Sequence, residues 1–118
     1  MRAALTLVLA LAASPALAAT GQELFNDQCG DCHTVDAASG PTAPTLKGVV
    51  GRPVASLSDY QYGAALTALK AKGAVWTEAT LNAFLADPRG YAPGTLMFGG
   101  AADPNDRKAI IDYLKSVK

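Results

Sequence analysis

Residues 29–33 read Cys29-Gly-Asp-Cys32-His33, and no other feature of the chain constrains its fold as much. Two cysteines separated by two residues and followed at once by histidine form the attachment signature of a c-type haem. Thiols one helical turn apart each add to one vinyl group of the same porphyrin, and the adjacent imidazole faces the iron. The chain holds two cysteines and one histidine in all, so no spare ligand of either type exists. Other uses of the pattern fit less well. A disulfide redox motif sits beside a βαβ unit, and no strand alternation surrounds residue 29. A zinc site wants four ligands, and His33 directly after Cys32 is poorly placed to close a tetrahedron.

The N-terminus reads as an address. Met1-Arg2 gives a positive start, Ala3 to Leu17 is almost wholly apolar, and Ser14-Pro15 breaks the run before a small-x-small site at Ala16-Leu17-Ala18. This is the pattern of a secretory signal peptide over residues 1–18. It is short for a membrane span of about 20 residues, so stable membrane insertion is not expected. Cleavage after Ala18 leaves residues 19–118, about 100 residues and one domain. Export suits thioether haem, which is assembled outside the reducing cytoplasm, and points to a bacterial periplasm or an equivalent space.

Lysine plus arginine and aspartate plus glutamate each number 10. Loss of Arg2 with the leader leaves the mature chain slightly acidic, at about −1. That balance argues against nucleic acid as a partner and against a strongly basic docking face. Acidic Glu23, Asp27, Asp31 and Asp36 lie early, and basic Arg107, Lys108, Lys115 and Lys118 lie late, as expected of solvated helix faces.

The remaining pattern is helical. Thr20-Gly-Gln-Glu23 is a capping box that opens a first helix, from about Gly21 to the cysteine motif, with Leu24 and Phe25 inward. Residues 34–58, rich in Gly, Pro, Ser and Thr, form a long loop that needs something to pack against. A short helix is expected over Gly63 to Ala71, ending at Gly73. Thr77 caps a third helix through Asp87, with Leu81, Phe84 and Leu85 on one face, and Pro88 stops it. Gly90 to Ala102 is a second irregular loop. Asp103-Pro104 starts the last helix, whose apolar stripe is Ile110, Tyr113, Leu114 and Val117. No strand, repeat or second domain is expected. With the leader removed, Met97 is the sole methionine. Given a haem, a lone methionine in a Gly/Pro-bounded loop is the candidate second axial ligand, and thioether ligation raises the reduction potential.

With these residues in place, the chain resembles the class I c-type cytochromes, in particular the small soluble bacterial and mitochondrial-like cytochromes c. The likeness covers essentially the whole mature chain. Gly21 and Phe25 match the family's first helix, in which the glycine lets the last helix cross closely near Ile110 and Tyr113. The run from Pro44 to Arg52 and the run from Asp87 to Met97 match the loops that carry the ligands.

The resemblance implies an all-α single domain of about four helices, with long loops wrapped round one haem c bound through Cys29 and Cys32. It implies iron ligation by His33 and Met97, with the Pro44 carbonyl accepting from the imidazole Nδ1–H. It further implies that Arg52, Tyr62, Trp76 and Thr95 face or hydrogen-bond a haem propionate, since buried carboxylates need donors or counter-charges. No catalytic residue is implied.

Three departures stand out. Phe84 occupies the place of a tyrosine whose hydroxyl reaches the methionine sulfur. Gln28 and Leu96 replace lysines near the exposed haem edge. Ala43 replaces a glycine before the proline. The function expected is one-electron transfer by a periplasmic monomer between transient redox partners, whether membrane electron-transfer complexes, an oxidase or a periplasmic dehydrogenase. Two alternatives accompany it: a haem subunit of a dehydrogenase or oxidase complex, and a peroxidase-like or gas-binding haem protein. The last lacks a second histidine for acid–base work.

Overall fold

The computed structural model describes residues 3–12 and 17–118. The leader's start at Met1-Arg2 and its Ser14-Pro15 break lie outside the described residues. Residues 3–12 and 17–19 have no regular structure and are exposed. Among the described residues, no helix is long and apolar enough to cross a membrane.

The described residues form five helices in order: α1 (Gly21–Gln28), α2 (Ala64–Ala71), α3 (Glu78–Ala86), α4 (Pro88–Tyr91) and α5 (Pro104–Ser116). Four of them start where a side chain satisfies free N–H groups, whereas α2 follows Gly63 without a side-chain cap. Thr20 accepts from Glu23 N and Glu23 reaches back to Thr20 N, the reciprocal cap expected at α1. Thr77 and Thr80 form the equivalent pair at α3. The Asp103 carboxylate accepts from Asn105 N and Asp106 N at α5, with Pro104 where its missing N–H is harmless.

The end of α3 departs from expectation. Pro88 stops α3 but also starts a further turn, α4. The Asp87 carboxylate accepts from Gly90 N at 3.1 Å, and Pro88 takes the first helical position. The irregular loop therefore begins after Tyr91 rather than at Gly90. The physical reason is that proline forbids continuation but favours initiation.

Helices α1, α3 and α5 form the frame. Gly21 lies so close to Ala109 and Tyr113 that a Cβ there would collide with the Ala109 carbonyl, which is the close crossing that glycine permits. The Phe25 and Tyr113 rings lie 5.6 Å apart across the crossing. Gln28 Nε2 donates to Asp106 at 2.9 Å further along it. Leu81, Phe84 and Leu85 of α3 and Ile110, Ile111 and Leu114 of α5 are buried, whereas Tyr113 and Val117 of the expected stripe are half-buried. Burying such side chains is worth roughly 1.5–3 kcal/mol each before the entropy of ordering is subtracted.

Among the described residues, the single β contact is an isolated antiparallel bridge between Pro53 and Val75. Around it Gly51 N donates to Trp76 O and Trp76 N to Arg52 O, at 2.6 and 2.9 Å. This ladder fixes the loop carrying Arg52 to the segment carrying Trp76, which places both against the same cavity.

Candidate functional site

The helix frame leaves one side open, and two loops close it round a cavity of about 340 Å³. That volume falls within the range of small-molecule and cofactor pockets, roughly 300–1,000 Å³. Cys29, Cys32, His33, Pro44, Arg52, Tyr62, Trp76, Thr95 and Met97 all line it. The walls between them are apolar: Leu46, Val49, Leu66, Leu81, Leu85 and Ile110 among others.

The first corner grows out of α1. Cys29 caps that helix and donates its N–H to Phe25 O. The chain then turns once more, with His33 N donating to Cys29 O at 2.9 Å. This extra turn brings both thiols and the imidazole to one wall. No disulfide joins the cysteines. His33 Nδ1 lies 2.8 Å from the Pro44 carbonyl oxygen, so Nδ1–H donates and the lone pair sits on Nε2, the tautomer that a metal ligand requires. Burial pushes the imidazole below its ordinary pKa. The Pro44 hydrogen bond opposes that shift, and the Arg52 charge adds to it. Burial likewise raises the Cys29 thiol.

The Pro44 carbonyl is itself held by a web of loop bonds. The Thr45 hydroxyl donates to Asp36 O at 2.5 Å, and Leu46 N donates to Thr34 O at 2.8 Å. Ser39 donates twice to the Asp59 carboxylate, at 2.8 and 2.8 Å, tying this loop to the next. Those two bonds hold Asp59 below the usual carboxylate range. Tyr60 Oη donates to Thr42 O at 3.2 Å across the same gap.

The propionate candidates form a polar group beside this web. Arg52 spends two N–H groups on Lys47 O and Thr45 O, at 3.1 and 3.0 Å. Desolvation lowers its pKa, against the favourable fields of Tyr62 and Asp59. The Tyr62 oxygen accepts from Leu57 N at 3.4 Å, and the Thr95 oxygen accepts from Met97 N at 3.3 Å. Both hydroxyl hydrogens, and the Trp76 indole N–H, have no protein acceptor among the described residues. No such atom is sealed from the cavity or solvent without a partner. Three donors, one held cation, two thiols, an imidazole and a thioether on apolar walls are what a haem with two carboxylates requires, and the residues present fit that group.

Met97 comes from the second loop and is half-buried, while its neighbours Leu96 and Phe98 are 70% and 74% exposed. Gly94, at φ +85, makes the turn before it, a conformation that favours glycine. Ala101 N donates to Leu85 O at 2.8 Å, and Arg107 donates to the Ala101 and Ala102 carbonyls at 3.0 and 2.7 Å, closing the loop's far end. Sequence reasoning missed Tyr60, Thr42, Ser39 and Asp59, which join the two loops on the histidine side. Their only signal was polar residues within a segment that lacked periodicity.

Comparison with known proteins is consistent throughout. The family model for cytochrome c matches residues 18–118. Cytochrome c 2.1 of Caenorhabditis elegans is 40% identical over 96 residues, covering 80% of this chain and 84% of that protein. Cytochrome c2 iso-1 of Magnetospirillum fulvum is 42% identical over 97 residues, covering 80% and 94%. The solved structure of cytochrome cH from Methylobacterium extorquens superposes with a TM-score of 0.71 at 40% identity, covering 81% of this chain and 94% of that one.

Proposed function

Because this chain belongs to the cytochrome c family, and is thereby an electron carrier rather than an enzyme, we propose that it is a periplasmic one-electron shuttle with His/Met ligation. A haem bound here supplies the iron couple that takes up and releases the electron. The chain's own residues do the rest. Cys29 and Cys32 are the two covalent anchors. His33 is the first ligand, kept in one tautomer and one orientation by Pro44. Met97 is the second, and its soft sulfur favours the reduced iron. Tyr62, Trp76 and Thr95 would offer their free donors to the carboxylates of a bound haem, and Arg52 would offset their charge. The apolar walls exclude water, and because the same two side chains would ligate the metal in both oxidation states, little rearrangement of the chain would accompany transfer. Contact with membrane electron-transfer complexes, an oxidase or a periplasmic dehydrogenase is transient.

The convergence of all nine residues on one cavity, with the His33–Pro44 bond formed, carries this reading. Export is supported by the exposed apolar run, in which Leu5, Leu7, Val8, Leu9 and Leu11 pack against nothing, and by a family match that begins only at residue 18.

The test uses protein purified from a periplasmic fraction. The colour stays with the polypeptide in acid–acetone, the mass shows loss of residues 1–18, and the far-red sulfur-to-iron band is present. Met97→Ala abolishes that band and lowers the midpoint potential. Colour extracted by acid–acetone, or a Met97→Ala protein with unchanged spectrum and midpoint, overturns the ligation. Retention of residues 1–18 overturns the export.

A further inference from the structure

Three segments frame the cavity mouth: residues 37–46, 60–69 and 90–102. None contains an Asp, Glu, Lys, Arg or His, although charged residues make up 17% of the chain. All three supply lining residues, Thr42 and Ala43 from the first, Gly63 and Leu66 from the second, Leu96 and Phe98 from the third. Charge is displaced to their flanks, at Asp36 and Lys47, Asp59 and Lys70, and Arg89 and Asp103. At the mouth, Leu96 and Phe98 are the large exposed apolar side chains of the third segment. Leu96 rests against Gly63, which brings the second and third segments together. The Arg89 guanidinium lies 4.7 Å over the Phe98 ring, so its charge is applied to the ring face. The exposed Asp31 carboxylate also lines the cavity.

We infer that this mouth is a docking surface for a redox protein whose own contact face is uncharged and apolar, with Leu96 and Phe98 as the contacts. The inference rests on the electron-carrier reading and adds what kind of partner it serves. A mainly apolar rim with a single acid, Asp31, and a single base, Arg89, offers little to compensate desolvation of a partner face rich in lysines or carboxylates, so such a face loses more than it gains there. A neutral face loses nothing, and gains from covering a phenylalanine and a leucine otherwise left in water. Rim charges chiefly set encounter rate and salt dependence, so a rim whose charges are one carboxylate, Asp31, and one guanidinium, Arg89, of opposite sign yields association that salt alters little.

Gold electrodes carrying alkanethiol monolayers that end in methyl, carboxylate or amine groups present the three kinds of partner face to the intact holoprotein. The expected result is electron exchange about tenfold faster at the methyl surface than at either charged one, unchanged between low and high salt. The double variant Leu96→Ser, Phe98→Ser lowers the methyl-to-charged rate ratio by about tenfold. Because the readout is a ratio on one protein, general loss of folding does not mimic it. Faster exchange at a charged surface, weakened by salt, overturns the inference, as does a ratio the variant leaves unchanged. Failure of the carrier reading looks different: no reversible wave at any surface and no midpoint in solution titration.

Discussion

The two sides of the cavity are built differently. On the histidine side, Pro44 sits within a mesh in which Thr45, Ser39, Asp59, Arg52, Tyr60 and Thr42 each hold another part of the loop. On the methionine side, the loop is tied at its ends. Thr95 N reaches Ala92 O at 2.9 Å before Met97, and Arg107 and Leu85 take Ala101 and Ala102 after it. Met97 N itself rests on the Thr95 hydroxyl at 3.3 Å, and Leu96 and Phe98 face solvent. The proposed ligand His33 is over-determined, and the proposed ligand Met97 hangs from a strap. On the proposed ligation the histidine side would hold its geometry in either oxidation state, and ligand exchange would begin at Met97.

The largest effect that separates the sides is Thr45→Val. Thr45 is 3% exposed, and its hydroxyl donates to Asp36 O and accepts from Lys47 N at 3.2 Å. Valine keeps the shape and strands those partners, at a cost of roughly 2–3 kcal/mol. Denaturant unfolding of the holoprotein measures the loss. The asymmetry further requires that the far-red band survive in the folded variant, since Met97 is held elsewhere. Loss of the band with stability unchanged would break the comparison.

The counterpart on the other side is Arg107→Ala. Its Nε donates to Asn82 of α3 at 2.9 Å while its Nη1 holds the end of the methionine loop, so α3, α5 and the loop share one clamp. The expected cost in stability is smaller, about 1–1.5 kcal/mol. The signature is a lower pH at which the sulfur-to-iron band disappears, with Arg107→Lys restoring only part of it because a lysine cannot reproduce the fork. An unchanged band titration in Arg107→Ala would show that the strap is held by something other than its ends.

How much of this was legible beforehand follows from the physics of each part. The helices were readable because their signals are local. Thr20, Thr77 and Asp103 are caps whose partners lie within three residues, and the α5 stripe follows helical period. The cysteines, His33 and Met97 were readable because their chemistry is rare, and the remaining site residues came through family likeness. What stayed hidden was non-local. Nothing near Ser39 announces Asp59, and Arg107 reads as a surface charge until α3 and the loop end are brought to it. Pro88 shows the same limit locally: as a helix stop it is unambiguous, but its second role depends on the Asp87 side chain folding back on Gly90 N.

A smaller effect tests the acid limit of the histidine side. The Ser39 bonds hold the Asp59 carboxyl below its ordinary pKa. A depressed folded-state pKa contributes stability above the unfolded value, and that contribution fades as pH falls through the folded one. The acid-side decline in stability should therefore be less steep in Asp59→Asn than in the parent, with no difference in slope at neutral pH. Identical slopes across the acid range would mean that these exposed bonds contribute nothing to the mesh.

The smallest expected effect lies at Phe84, where family likeness places a tyrosine. Phe84 is 6% exposed, packs at 5.0 Å from Trp76 and 5.9 Å from Tyr91, and lines the cavity together with Met97. Its ring has no polar hydrogen to offer a sulfur, so Met97 receives no hydrogen bond from this position. Phe84→Tyr supplies one. A single neutral hydrogen bond is worth about 1 kcal/mol at most here, part of it lost to fitting a hydroxyl among packed rings. The pH at which the sulfur-to-iron band disappears should rise by about half a unit, because roughly 1.4 kcal/mol corresponds to one unit. The histidine-side mesh should be unaffected, read as unchanged unfolding of the Thr45→Val background relative to its own parent. If the tyrosine leaves the band titration where it was, the ties at the two ends already fix Met97, and the weaker side of the cavity is stronger than its hydrogen bonds suggest.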